Sequence, residues 1–185
     1  MKIKIGLFIC VISSLISIYS FNKISLFSRS KLSKSLELID MAYKYQDNKN
    51  YAEAIKYFSK LIELDNQDFY AYYNRGWNKA KMKKYKMAMK DFEKAIEFNP
   101  NFSMAYINKG VMNYYLGQFN DSISDYEKAI KLDNKNLSIF YNRALSKIAQ
   151  GDNSKSICSD LEISKSINFF EISNLLNEYC YKTKV

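Results

Sequence analysis

Along most of this chain, like residues recur every 34 positions. Ala42, Gly76, Gly110 and Ala144 keep that interval, and so do Leu38, Tyr72, Tyr106 and Phe140. Ala54, Ala88 and Ser122 form a third column, Phe58, Phe92 and Tyr126 a fourth, and Tyr51, Tyr85 and Phe119 a fifth. Several independent columns in one register restrict the chain to an array of like units, each stacked on the next.

Each unit reads as two helices. In the first, the aromatic and the small residue one turn later (Tyr72 and Gly76) share a face, and the small residue lets a neighbouring helix approach closely. In the second, Tyr85, Ala88, Met89, Phe92, Ala95 and Ile96 recur every three or four residues as an apolar stripe. One pair cannot bury such a stripe alone, so the core comes from stacking several. The low content of helix breakers, 5 Gly and 1 Pro, agrees with long helices joined by short turns. The expected class is all-α.

The units resemble the tetratricopeptide repeat (TPR). Tyr73–Trp77 (YNRGW) followed by Tyr85–Pro100 (YKMAMKDFEKAIEFNP) is one close copy, with the terminal proline. Ile107–Gly110 (INKG) with Tyr115–Asn134 is a second, Tyr51–Asn66 ends a third, and Tyr141–Asp152 opens a fourth. The resemblance implies a right-handed superhelical solenoid of antiparallel helix pairs. Its repeats are expected at 35–68, 69–102, 103–136 and a degenerate 137–170, with a capping helix at 171–181. The fourth unit departs from the register: Asp91 and Asp125 are 34 apart but Asp125 and Asp160 are 35, and Leu161 stands where the aromatic is due. A longer turn and a weaker last pair are expected there.

In this family the first helices line a concave surface that takes extended peptides or helices. Carried onto this sequence, the surface holds Tyr43 in the first repeat and Tyr70, Tyr73, Asn74 and Trp77 in the second. Met104, Ile107, Asn108, Val111, Tyr114 and Tyr115 follow in the third, then Tyr141, Asn142 and Leu145 in the fourth. Aromatic anchors of this kind dominate binding hot spots. Asn74, Asn108 and Asn142 repeat every 34 residues. An amide both donates and accepts, so this ladder either holds a ligand backbone or bonds between helices. Asp40 interrupts it in the first repeat. Some relatives clamp a chaperone's terminal carboxylate with Lys, Asn and Arg. The matching places here are Ile39, Tyr43, Asn74, Met104 and Asn108, and only Asn74 fits.

Catalysis is not expected. His is absent, which removes the common general base and metal ligand. The serines have no base partner, no glycine-rich phosphate loop occurs, and Glu53, Glu63, Glu93, Glu97 and Glu127 sit beside lysines as solvated i,i+4 helix pairs. No metal and no cofactor are expected. The run Lys79, Lys81, Lys83, Lys84, Lys86 and Lys90 reads as a solvated turn rather than a nucleic-acid patch. Cys158 replaces a core residue matching Ile55, Met89 and Ile123, and Cys180 falls on the capping helix. Two buried thiols or a disulfide both fit.

The net charge of +9 is concentrated at one end. Residues 1–34 hold Lys2, Lys4, Lys23, Arg29, Lys31 and Lys34 and no acid, leaving 22 basic against 19 acidic residues elsewhere. Between them Ile5–Phe21 carries no charge and, as a helix, would reach about 26 Å against a bilayer core of ~30 Å. Residues 1–24 therefore read as a signal anchor or a signal peptide, followed by a basic linker at 25–34. The expectation is a monomer with a single N-terminal hydrophobic helix in the membrane through residues 5–21. Its domain lies on the exported side, or is secreted or periplasmic after cleavage. It binds a protein or peptide and no nucleic acid. The rivals are a membrane-bound assembly factor on the cytoplasmic face and an RNA-binding helical repeat, which needs a basic groove.

Overall fold

The computed structural model describes residues 29–152, 155–167 and 170–181. Ile5–Phe21, where the hydrophobic helix is expected, lies outside them. Residues 29–47 are helical (α1), so the first helix takes in 29–34 of the expected linker. Arg29, Lys31, Leu32 and Lys34 are good helix formers and no Gly or Pro intervenes. The helices that follow are α2 (Tyr51–Leu64), α3 (Phe69–Lys81), α4 (Tyr85–Phe98), α5 (Ser103–Tyr115), α6 (Phe119–Leu132), α7 (Ser138–Gln150), α8 (Lys155–Ser164) and α9 (Phe170–Leu176). A 3-10 turn at Lys165–Ile167 follows α8, and a π-helical turn at Asn177–Tyr181 extends α9. Among the described residues, no helix is long and apolar enough to cross a membrane.

The helix ends follow from local chemistry. Asp68 caps α3 by accepting from the Ala71 amide at 2.9 Å, and Asn50 caps α2 through Glu53. Within each pair the chain reverses through a left-handed residue. That place is filled by Lys49 (φ 58°), Lys83 (φ 59°), Gly117 (φ 73°) and Gly151 (φ 87°). Only the last two suit glycine's freedom; the lysines adopt the conformation against their Cβ preference.

Small residues set the spacing inside each pair. A Cβ on Gly76 would lie 2.9 Å from Phe92 Cε1, and one on Gly110 2.9 Å from Tyr126 Cε1. The aromatic of the second helix thus rests on the glycine of the first, and Phe92 and Tyr126 are buried there. Buried alanines at 42, 54, 88, 95, 105, 129 and 144 complete the contacts. In the Ala54 and Ala88 column Ser122 takes its place by donating to the Gly110 carbonyl at 2.8 Å and pairing with the Ser146 hydroxyl at 2.9 Å. The last pair closes differently. Leu161 replaces the aromatic and packs with Ile157, Ile172 and Leu176, so α9 covers the end of the array. A disulfide between Cys158 and Cys180 ties α9's extension to α8.

Candidate peptide-binding face

The first helices of successive pairs lie side by side. α3 touches α5 and α5 touches α7, and hydrogen bonds join α1 to α3 and α3 to α5. Tyr43, Tyr70, Met104 and Tyr115 are exposed on these helices. Tyr70 and Tyr115 are more than half exposed, at 56% and 60%, so both rings are open to a partner.

The asparagines occupy this layer with their donors engaged. Asn74 donates through Nδ2 to the Tyr43 hydroxyl at 3.2 Å and to the Tyr70 carbonyl at 2.8 Å. A backbone carbonyl can only accept, so the orientation of this amide is fixed; Oδ1 is the remaining acceptor, on a residue that is buried at 9% exposure. Asn108 donates to the Tyr73 hydroxyl at 2.9 Å. Asn142 lies half-buried on α7 and, among the described residues, its side chain makes no hydrogen bond. Interhelix bonding therefore engages Asn74 and Asn108 on their donor side only.

The aromatics divide into groups. Tyr70 and Tyr73 pack edge-on against Phe102, at 5.3 and 4.9 Å between centroids. Phe102 stands just before α5 and was not among the residues marked by the repeat pattern. Burial raises the Tyr73 phenol above its usual range, while its bond with Asn108 acts in the opposite direction. Trp77 meets Tyr51 edge-on at 6.1 Å and carries the Lys81 ammonium 4.7 Å above its ring. Tyr115 stacks on Tyr85 at 5.1 Å, and Tyr114 packs on Phe119 at 5.6 Å. Tyr43 lies edge-on to Phe58 at 5.7 Å. Tyr141 is half-buried against the core of the last pair, and burial raises its phenol, with Glu171 adding to the effect. Trp77, Asn108, Val111 and Tyr115 share one cavity of about 310 Å³ between α3 and α5.

A larger cleft of about 590 Å³ is lined by residues of α3 and α4, including Arg75, Lys79 and Asp91. Its charges serve one another. Arg75 grips Asp91 through Nε and Nη2 at 3.0 and 2.8 Å, and Lys79 adds a contact at 2.7 Å. The same device recurs one repeat later, where Lys109 and Asn113 hold Asp125 at 2.7 and 2.8 Å, and again where Arg143 and Lys147 hold Asp160. Lys79, placed in the solvated run by the sequence reading, is thus half-buried in an ion pair with the buried Asp91. Of the helix-surface acids, Glu53 pairs with Lys56 and Glu97 with Lys94, at a spacing of three rather than the expected four.

Repeated, antiparallel helix pairs with aromatic-on-glycine packing and an open layer of first helices define a helical repeat protein of the interaction type. The description "Tetratricopeptide repeat" matches residues 27–68 and 69–102, and "TPR repeat" matches 110–151. The chain belongs to the tetratricopeptide repeat family. No curated protein matches it. Among solved structures, the MamA RS-1 ArsTM double mutant is similar over 82% of this chain and 85% of its own, at 14% identity and a TM-score of 0.75. The first TPR of Spaghetti (RPAP3), bound to the HSP90 peptide SRMEEVD, is similar over 65% and 95%, at 24% identity and a TM-score of 0.63. The TPR2B domain of yeast Sti1, in its complex with pHsp70, is similar over 74% of this chain and 99% of its own, at 21% identity and a TM-score of 0.54. At these identities the likeness is one of fold.

Proposed function

We propose that this protein is a non-catalytic scaffold that holds a segment of another protein against its first-helix face. The observation that carries the reading is the pair of open aromatic rings, Tyr70 and Tyr115, on the layer of first helices that also holds the buried Asn74 amide with its Oδ1 acceptor unspent. Rings supply apolar contact area, and the acceptor bonds a ligand N–H whatever its side chains. Spaghetti's first TPR and yeast Sti1 TPR2B use the same fold with chaperone-derived ligands. Here Ile39, Tyr43, Met104 and Asn108 do not match the Lys, Asn and Arg of a carboxylate clamp, so an apolar or aromatic segment is the better ligand. The absence of His and the mutual pairing of the buried charges support a role without catalysis.

The proposal includes a tether. The uncharged run Ile5–Phe21 anchors the chain in a membrane; basic residues flank it on both sides, and ordinary export, which keeps the basic N-terminus inside, leaves the repeats on the exported side. Membrane fractionation with protein sequencing tests this, and a mature N-terminus at or beyond Phe21 replaces tethering with secretion.

The face itself is tested by photocrosslinking in cells. A photoreactive amino acid at Tyr70 or Met104 is expected to capture the same partner, and one at Lys128 on α6 to capture none. Capture from Lys128 alone would place the partner on the opposite side.

A further inference from the structure

Two columns of residues decide where the first-helix face is open. One runs Tyr43, Trp77, Val111, Leu145, and the other Gln46, Ala80, Tyr114, Ile148, each at intervals of 34. A gap between neighbouring first helices needs a small residue of the second column beside a small residue of the first in the next repeat. Gln46 faces the Trp77 repeat and Tyr114 faces the Leu145 repeat, so bulk is present at both. Ala80 and Val111 meet in the middle, and there the cavity of about 310 Å³ lies. Phe92 and Met112 are its buried floor, and Trp77 and Tyr115 flank it. The contact of Trp77 with Tyr51 and the stacking of Tyr115 on Tyr85 hold these walls in place. Ligand pockets run from ~300 Å³ upward, so this one suits a single large side chain.

Its rim is cationic. Lys81 and Lys83 line it and are exposed, and no acidic residue is among its lining groups. The places of Lys81 in the other repeats hold Asp47, Tyr115 and Ala149, and those of Lys83 hold Lys49, Gly117 and Gly151. Only the second repeat offers lysine at both, and it does so where the cavity opens.

We propose that this pocket anchors one aromatic or large apolar side chain of the bound segment, and that Lys81 and Lys83 select acidic residues beside it. The inference rests on the first-helix face being the binding face, and it adds the ligand's chemistry: an apolar anchor flanked by carboxylates, with no need for a free C-terminus.

Trp77 is the single tryptophan of the chain, so 5-fluorotryptophan labelling gives one ¹⁹F reporter in the pocket wall. The full chain is titrated with the capped peptide acetyl-Ser-Glu-Phe-Glu-Ser-amide. A saturable shift of the resonance is expected. The peptide with lysines replacing both glutamates should bind at least about fivefold more weakly, as two exposed charge pairs imply. Ala80→Tyr, which copies Tyr114 of the next repeat, should weaken binding about tenfold or more, and Val111→Trp should do the same from the other wall while circular dichroism stays helical. Lys81→Glu with Lys83→Glu should invert the preference between the peptides. No saturable shift, equal affinity for both peptides, or binding that survives both filling variants overturns the proposal. A partner crosslinked from Tyr70 and Met104 whose affinity ignores Ala80→Tyr removes the pocket and leaves the binding face standing. Capture from Lys128 alone removes the face, whatever the peptide does.

Discussion

Tyr45 stacks on Tyr57, with ring centroids 5.4 Å apart and planes at 20°, in the places that Lys79 and Asp91 hold one repeat later. The same helix–helix contact is therefore made by an aromatic pair in the first repeat, by an ion pair in the second, and by the Asn113–Asp125 hydrogen bond in the third. Aromatic stacking needs no partner beyond itself, whereas Asp91 depends on two cations. Asp91→Ala leaves Arg75 and Lys79 without their carboxylate and is expected to destabilise the domain by about 3 kcal/mol. Urea unfolding checks this, and a midpoint equal to wild type would show that the ion pair is dispensable.

Asp125 couples the stability of the fold to pH. Burial raises its carboxyl above the usual range, although Lys109 and Asn113 pull it down. A carboxyl raised in the folded state binds protons more readily there than in the unfolded chain. Stability from this group is thus greatest at low pH and is lost as pH rises through the folded value. Relative to Asp125→Asn, wild type should lose stability as pH rises from about 4 to 7. Parallel melts of the two proteins across that range measure the difference, and a difference that grows in wild type's favour contradicts the assignment.

Gly110 has no room for a side chain. Its Cβ would sit 2.9, 3.1 and 3.2 Å from three atoms of the Tyr126 ring. That ring is buried and cannot swing into solvent. Gly110→Leu should cost about 1–3 kcal/mol through overpacking. Coincident thermal melts would mean the ring yields more easily than its burial implies.

The Cys158–Cys180 bond closes a segment with a sequence separation of 22. Loop entropy for that length amounts to about 3 kcal/mol, which falls on the cap over Ile157, Leu161, Ile172 and Leu176. Cys180→Ser should loosen α9 before the inner repeats, seen as faster amide exchange at Ile172 and Leu176. Complete labelling of both thiols in unreduced, denatured protein would show the bond is not formed in cells.

The helix pairs and their aromatic-on-small packing were legible because a 34-residue period repeats each contact several times. Phe92 and Gly76 could be matched without a structure, since Tyr126 and Gly110 restate the pair. The Asp91, Asp125, Asp160 column was equally visible, but its partners were not. They lie across the turn on the preceding helix, and Lys79 sits within a run of lysines that looks solvated as sequence. Asn74 illustrates another gap. Its recurrence marked it, yet only geometry separates the donors spent on Tyr43 and Tyr70 from the acceptor that remains. Phe102 went unmarked because it stands in a turn, outside any helical stripe. The α3–α5 cavity arises from two small residues 31 apart, Ala80 and Val111, an interval no single-repeat pattern contains.

The central claim is that a protein segment binds across the first-helix face, with aromatic anchors stronger than the amide contacts. Titration calorimetry with the segment captured by Tyr70 and Met104 crosslinking tests it most directly. An anchor truncation commonly costs ~2 kcal/mol or more, and a net hydrogen bond ~0.5–1.5 kcal/mol. Trp77→Ala should therefore weaken binding about thirtyfold, and Asn108→Ala about threefold to tenfold. Asn74→Ala combined with Asn108→Ala should affect segments of unrelated sequence alike, with circular dichroism still helical. Affinity unchanged in both Trp77→Ala and the double asparagine variant would contradict the account and place the partner elsewhere on the array.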